Sequence, residues 1–490
     1  MRVGLLHPDE DLSLAKPLPY SWAEVEHDLG LGTVLEAMAE GDTYLLDVAR
    51  QVLAQGLSQE ARVIHHRQEV LREALEHPRL IEALYRLAGQ TLQEKRKESW
   101  GLFRRDRPDL YGGIKAMEAL LKGLRGVREL LESAHLATRG FRSLKDQLAA
   151  HLTPEFFREA EGHLRALRFP QGIWMTASLG PGGRSRDYTL LLPKRNPIPW
   201  PFGSRPKAFT LTLHPRDEAG ARILGEFRER GVFAAARALA LAVEEVTRFF
   251  EALRAEVGFL LGAIRLANRL RALGLPLAFP VPAEGVRLAF RNLYDVGLAL
   301  RQGYAVGNHL EAHGKNPILI TGANRGGKTT CLRSLGLAQI MMQAGLFVGA
   351  EFFESGLVDG LFTHFKREED PSLEAGRFEE ELRRLSDLVD HLTARPLFLF
   401  NESFAATSEP EGSELGGTGD PSPGGTGDTG GVRHPFLHPG GSFLRQRQGP
   451  FSKSRAPPRR PADLPPQGGT SRAHRLRPRP SAPDLRLGKA

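Results

Sequence analysis

The stretch TGANRGGKTT, residues 321–330, places Gly322, Gly327, Lys328 and Thr329 at the spacing G-x-x-x-x-G-K-[ST]. Each residue type has a physical reason to be there. Gly322, Gly326 and Gly327 let consecutive backbone N–H groups turn inward around a phosphate, and a helix starting near Lys328 adds the positive end of its dipole. Lys328 can reach terminal phosphate oxygens, the Thr329 hydroxyl is suited to ligate Mg²⁺, and Thr330 continues the first helical turn beside it. The motif has the flanks it needs, with apolar NPILI before it as an expected strand and TTCLRSLGLAQIMMQAG after it as an expected helix closed by Gly345.

Phosphoryl chemistry needs more than a cradle. It requires an oxygen ligand near the metal and a base that orients water. A second apolar run, PLFLF at 396–400, ends in Asn401 and Glu402. Glu402 is positioned to act as the base. Asn401 stands where an aspartate usually supports the metal, and its amide offers a carbonyl oxygen without a charge. The alternative for Glu402 is a solvent-facing glutamate after a buried strand.

The elements around these residues follow from periodicity. From about Ser21 to Leu167 the chain reads as successive helices, with Val63, Val70, Leu71, Leu75, Leu80, Ile81 and Leu84 at near-helical spacing and Pro78 opening a new helix. Three β-favouring runs, GIWMTASLG, RDYTLLLP and AFTLTLHP, are separated by Gly and Pro clusters, which predicts a small antiparallel insertion at about 170–216. Helical spacing returns from about Asp217 to Leu270, where Phe249, Phe250, Leu253 and Phe259 are expected in the core. From about Pro276 the alternation of strand, loop and helix predicts an α/β domain with a mainly parallel sheet.

Composition narrows the class. The chain has 490 residues and a single cysteine, Cys331, so no intrachain disulfide can form. Neither a signal-peptide core near the start nor a run of about 18 uncharged apolar residues occurs, which predicts a cytoplasmic protein with no membrane partner. The formal charge of +8 is carried entirely by the end of the chain, where residues 413–490 hold 13 Lys and Arg against 5 Asp and Glu. After Glu414, Gly and Pro make up about a third of the residues and apolar periodicity disappears. That composition predicts a disordered basic tail.

Other residue groups have more ordinary readings. His65 and His66 are adjacent, so a helix points them about 100° apart and they form no metal pair. Lys194, Arg195, Arg205 and Lys207, beside Trp200 and Phe202, are either phosphate-facing or a solvated loop. Cys331 is expected to be buried in the helix after the glycine-rich turn.

Taken together, LITGANRGGKTTCLRSLGLAQIMMQAGLFVGA, FTHFKREEDPSLEAGRFEEEL and LFLFNESFAATSEPEGSE resemble the ATPase domain of the MutS family of DNA mismatch-repair proteins. The likeness is to a short bacterial branch in which NES replaces the usual Asp-Glu pair. It is strong over about 275–414 and weaker over the helical part, which is similar to the family's core and lever helices, with the β insertion in place of its DNA clamp. The resemblance implies a helical core and lever over 1–272, a P-loop ATPase domain over 273–414 and a low-complexity tail over 415–490. It implies ATP and Mg²⁺ as cofactors, a homodimer, and DNA, mismatched or branched, as partner.

Residue by residue, the resemblance carries Asn324 onto the family's P-loop asparagine, Lys328 and Thr329 onto its phosphate and magnesium ligands, and Glu402 onto its catalytic glutamate. Thr407 and Ser408 fall where the family completes the opposite subunit's site, and 375–382 falls where nucleotide state is coupled to the levers. Two departures limit the likeness. No Phe-x-Glu wedge occurs near the start, and LGGTGDPSPGGTGDTGG replaces the expected helix, strand and Thr-His pair. A frameshift near Glu414 accounts for that change of texture. The alternative to a frameshift is a real basic tail that binds nucleic acid nonspecifically, and the alternatives to an ATP-driven DNA clamp are a nucleotide-binding structural protein without turnover or a defective truncated relative.

Overall fold

The computed structural model describes residues 1–98, 103–104, 107–170, 172–183, 185–191, 212–321, 326–366 and 377–401. Eight helices come first: α1 (Trp22–Asp28), α2 (Leu31–Ala39), α3 (Thr43–Gly56), α4 (Ala61–Glu76), α5 (Pro78–Glu98), then, after the short strands β1 (Phe103–Arg104) and β2 (Arg107–Pro108), α6 (Leu110–Glu132), α7 (Arg139–His151) and α8 (Pro154–Leu167). Their boundaries have local causes. Asp42 caps α3 by accepting from the Tyr44 and Leu45 amides, Asp109 caps α6, and Thr153 caps α8 with Pro154 at its first position.

An antiparallel hairpin, β3 (Trp174–Leu179) and β4 (Ser185–Leu191), joined through a 3₁₀ turn at Pro181–Gly183, leads into α9 (Glu218–Ala272). Helix α9 has 55 residues, so it is about 80 Å long, and Asp217 caps it at the Gly220 amide. Its second half is the axis of the helical core, where Phe249, Phe250, Leu253, Val257, Phe259 and Leu260 are all buried and pack with α2, α3, α5 and α6. The expected antiparallel insertion is present as this hairpin, while AFTLTLHP and the cations at 194–207 lie mostly or wholly outside the described residues.

Two buried ionisable side chains, Glu256 and Arg67, tie the start of the chain to this axis through its backbone. The Glu256 carboxylate, fully buried on α9, accepts the Leu5, Leu6 and Leu12 amides at 2.7, 3.0 and 3.2 Å. Arg67 of α4 donates its Nε to the Leu6 carbonyl at 2.6 Å. Burial pushes the Glu256 carboxyl up to about 7, against the three backbone amides that favour its ionised form, and pushes the Arg67 guanidinium down to about 10, against the attraction of Glu256. His66 is buried with Nε2 2.9 Å from the Gly4 carbonyl, whereas His65 is exposed, as their adjacency requires.

Past α9 come β5 (Val281–Ala283), β6 (Leu288–Leu293), α10 (Val296–Gln302), β7 (Asn308–Glu311), α11 (Lys328–Gln343), β8 (Phe352–Gly356), β9 (Gly360–Phe365), α12 (Arg377–Asp390) and β10 (Pro396–Asn401). The sheet is mixed rather than mainly parallel. In the order β5-β8-β6-β7, only β5 and β8 run parallel, and β6 is antiparallel to both neighbours. Strands β9 and β10 form a separate parallel pair, with Leu399 opposite Thr363 and Asn401 opposite Phe365. The expected strand at 316–320 is also corrected: it joins no ladder among the described residues, and Leu319 is 70% exposed. A short apolar run becomes a strand only when a partner satisfies its backbone, which local sequence does not guarantee.

Candidate functional site at the start of α11

Helix α11 begins at Lys328 with Gly327 as its N-cap, at φ +86°. That left-handed backbone suits glycine and turns the chain sharply into the helix. Gly326 and Gly327 are exposed, and Lys328, Thr329 and Thr330 are half-buried. The first amides of the helix have no intrahelical acceptor, so the end is an electropositive cradle. Cys331 is half-buried rather than buried, and burial raises its thiol above the ordinary value.

The decisive contact crosses 72 positions of sequence: the Thr329 hydroxyl donates to Asn401 Oδ1 at 3.0 Å. Strand β10 therefore delivers its last residue to the first turn of α11. The helix is held close to the sheet at Gly336, where a Cβ would stand 2.7 Å from a Leu29 methyl carbon and 2.8 Å from one of Leu399. Arg333 adds a donor to the Asp28 carbonyl at 2.7 Å, tying α11 to α1. Around α1, the Ser21 hydroxyl donates to the Leu361 carbonyl of β9, the Arg384 guanidinium of α12 lies 3.6 Å from Glu24, and Tyr20 stacks on His391 at 3.6 Å.

The donor set fits a hard cation in kind. Thr329 and Asn401 offer two neutral oxygens, and two adjacent ligands at the usual magnesium distance stand about 3 Å apart. No group of three or more His, Cys, Asp or Glu side chains that could hold a metal occurs among the described residues. Such a pair suits an ion that keeps most of its water or takes phosphate oxygens.

Of the residues expected at this site, Gly326, Gly327, Lys328, Thr329, Thr330 and Asn401 are brought together around the start of α11 and the end of β10. Gly322, Asn324, Glu402, Thr407 and Ser408 lie outside the described residues, as do most of the loop before Arg377 and the tail over 415–490.

Two family models match this chain: the MutS2 N-terminal domain over 59–273 and MutS domain V over 318–417. The chain belongs to the MutS family. It is 33% identical over 158 residues to Endonuclease MutS2 of Thermus thermophilus, a stretch covering 32% of this chain and 20% of that protein. Endonuclease MutS2 of Geobacillus kaustophilus is 33% identical over 172 residues, 35% of this chain and 21% of the relative. The DNA mismatch repair protein MutS of Parabacteroides distasonis is 35% identical over 107 residues, 22% of this chain and 12% of the relative. The matched stretch thus spans about a fifth or less of these MutS-family relatives.

Sequence reasoning missed the other end of α11. Gln339 and Gln343, both buried, sit one helical turn apart among Leu337, Ala338, Ile340, Met341 and Met342. Buried in this apolar half of the helix, the two amides must find partners inside the protein.

Proposed function

We infer that this MutS-family chain is an Mg²⁺-dependent ATP-binding protein that hydrolyses ATP and uses nucleotide occupancy to change how its helical frame holds DNA. The observation that carries the reading is the Thr329–Asn401 contact, because it joins the glycine-rich turn to the strand end that the chemistry requires. In this reading the amides at the start of α11 and Lys328 hold the β and γ phosphates, and Gly322, Asn324, Gly326, Gly327 and Thr330 complete the cradle. Thr329 and Asn401 hold Mg²⁺, which when bound offsets phosphate charge. Glu402, next to Asn401 in sequence, orients the attacking water, and Thr407 and Ser408 serve the site of a second copy. The helical frame is 1–272, the nucleotide domain 273–414, and DNA of mismatched or branched form is the partner.

Binding and turnover are measured together. Wild type should bind ATP and release phosphate only with Mg²⁺, Thr329→Ala should lose Mg²⁺-dependent binding, and Glu402→Gln should bind ATP while its turnover falls at least about a hundredfold. Equal and negligible turnover in wild type and Glu402→Gln, with ATP still bound, overturns the hydrolytic part. Absence of any ATP binding overturns the whole reading. Retardation of homoduplex, mismatched and four-way-junction DNA, each with and without ATP, tests the partner: the shift should depend on nucleotide.

A second reading, a nucleotide-binding relative without turnover, is favoured by two observations. The oxygen facing Thr329 comes from a neutral amide, and residues 316–320 lie outside the described ladders with Leu319 exposed. The composition change beside Glu414, next to the end of the domain V match at 417, supports a frameshift there. Resequencing through the codons for 405–430 tests it, and an unchanged sequence refutes it.

A further inference from the structure

Helix α11 has two ends, and the one away from the phosphate cradle is built as a joint. Gln343, fully buried, uses all the hydrogen-bonding capacity of its amide. Its oxygen accepts the Val358 amide at 2.9 Å and Gln339 Nε2 at 2.7 Å. Its nitrogen donates to the Val358 carbonyl at 2.8 Å and reaches the Leu57 and Gly56 carbonyls at 3.3 and 3.4 Å. Gln339 Nε2 also reaches the Gly356 carbonyl at 2.9 Å. One pair of side chains therefore fastens α11 to the turn between β8 and β9 and to the last turn of α3.

The contact is close enough to transmit position. At Gly56 a Cβ would stand 2.8 Å from the Ala344 nitrogen and 3.0 Å from the Ala344 Cα, so the end of α3 rests on the end of α11 backbone against backbone. Arg67 donates to the Ala344 carbonyl at 3.4 Å from α4, where a cation complements the negative end of the helix dipole. Gly345, at φ +81°, leaves no room for a side chain beside Arg67. A rigid helix of 16 residues, about 24 Å long, then carries any displacement at this joint to Lys328 and Thr329.

We propose that Gln343, buttressed by Gln339, is a positioning residue through which the end of α3 sets the placement of the phosphate cradle at the start of α11. The proposal rests on the nucleotide reading above for its functional consequence. Occupancy of the cradle and packing at Gly56–Leu57 are then energetically linked, and the linkage is reciprocal.

The test uses the full chain and two readouts. Gln343→Leu removes the amide, Gln339→Leu removes only its buttress, and Gly56→Ala pushes on Ala344 without altering α11 itself. Each is compared with wild type where circular dichroism shows it fully folded. The first readout is the dissociation constant for ATP with Mg²⁺, expected to weaken about tenfold in Gln343→Leu and Gly56→Ala and less in Gln339→Leu. The second is the rate at which Cys331, the chain's one cysteine and in the first turn of α11, reacts with an aromatic disulfide at fixed pH without nucleotide. That rate is expected to change several-fold in the same order.

A merely structural glutamine would lower the melting temperature and leave both readouts at wild-type values in the folded variants, which overturns the proposal. If wild type binds no ATP, the nucleotide reading falls, and the Cys331 rate still decides the joint. If Gln343→Leu fails to fold, Gly56→Ala and Gln339→Leu decide it by the same criteria.

Discussion

Asn401 and Glu256 show how one side chain sets a chemical property of the whole protein. Asn401 brings an oxygen to Thr329 without a charge. Asn401→Asp keeps the acceptor and adds a negative charge beside a hard cation, so the Mg²⁺ concentration that half-saturates ATP binding should fall several-fold; titration of Mg²⁺ at fixed ATP checks it, and an unchanged midpoint removes Asn401 from the metal site. Glu256 has the opposite difficulty, a carboxylate fully inside the protein. Burial raises its folded value from 4.5 to about 7, against the three backbone amides that favour the ionised form. A raised carboxyl means the folded state binds the proton more tightly, so this contribution to stability is complete below pH 4.5 and is lost as pH rises through 7. His66 and His364, which burial lowers, contribute with the opposite sign. The difference between wild type and Glu256→Gln isolates the carboxyl. From pH 5 to 8.5, urea unfolding should show wild type losing about 2 to 3 kcal/mol relative to Glu256→Gln. A constant difference would mean that Glu256 is ionised in both states throughout that range.

Helix α11 works as an element because it can lie against β10, and Gly336 makes that approach possible. Gly336→Val would place new methyl groups where Leu29 and Leu399 now sit, costing about 1 to 3 kcal/mol of stability and lifting the helix from the strand. The expected signature is a lower melting temperature together with weaker ATP binding, since Thr329 would draw away from Asn401. Lower stability with ATP affinity unchanged would show that the cradle does not depend on this packing. Much of this arrangement is legible in sequence. The glycine spacing, the helix closed near Gly345, the strand ending at Asn401 and the new helix at Pro78 all follow from local rules of turn chemistry and periodicity. What the sequence does not reveal is pairing. The mixed order β5-β8-β6-β7 and the unpaired 316–320 depend on which backbones meet across long separations, and no local pattern specifies that. The Gln339 and Gln343 pair was hidden for a related reason, because glutamines four residues apart look like a solvent-facing turn until their partners from α3 and the β8–β9 turn are known.

At the scale of the molecule, α9 joins a dense core to an extension that, among the described residues, packs only sparsely. From Phe249 to Leu270 its side chains are largely buried among α2, α3, α5 and α6. Toward its start, Ile223, Leu224, Phe227 and Phe233 are exposed, and the described packing there is with the β3–β4 hairpin, through Gly231 against Met175 and Phe227 near Tyr188. None of the helices among the described residues is long and apolar enough to cross a membrane, so this exposed apolar run is not a spanning segment. Local stability follows buried apolar contact, and a helix of this length need not open as one unit. Amides over 222–235 should therefore exchange with solvent deuterium much faster than those over 249–270, whose opening should approach the cost of global unfolding. Hydrogen exchange resolved by peptide mass reads both segments of one helix in one experiment. Uniform protection along α9 would mean that a partner surface, such as a second copy, covers the exposed run in solution. A steep gradient that flattens when DNA is added would instead assign that covering role to nucleic acid, and would tie the extension to the function inferred for the frame.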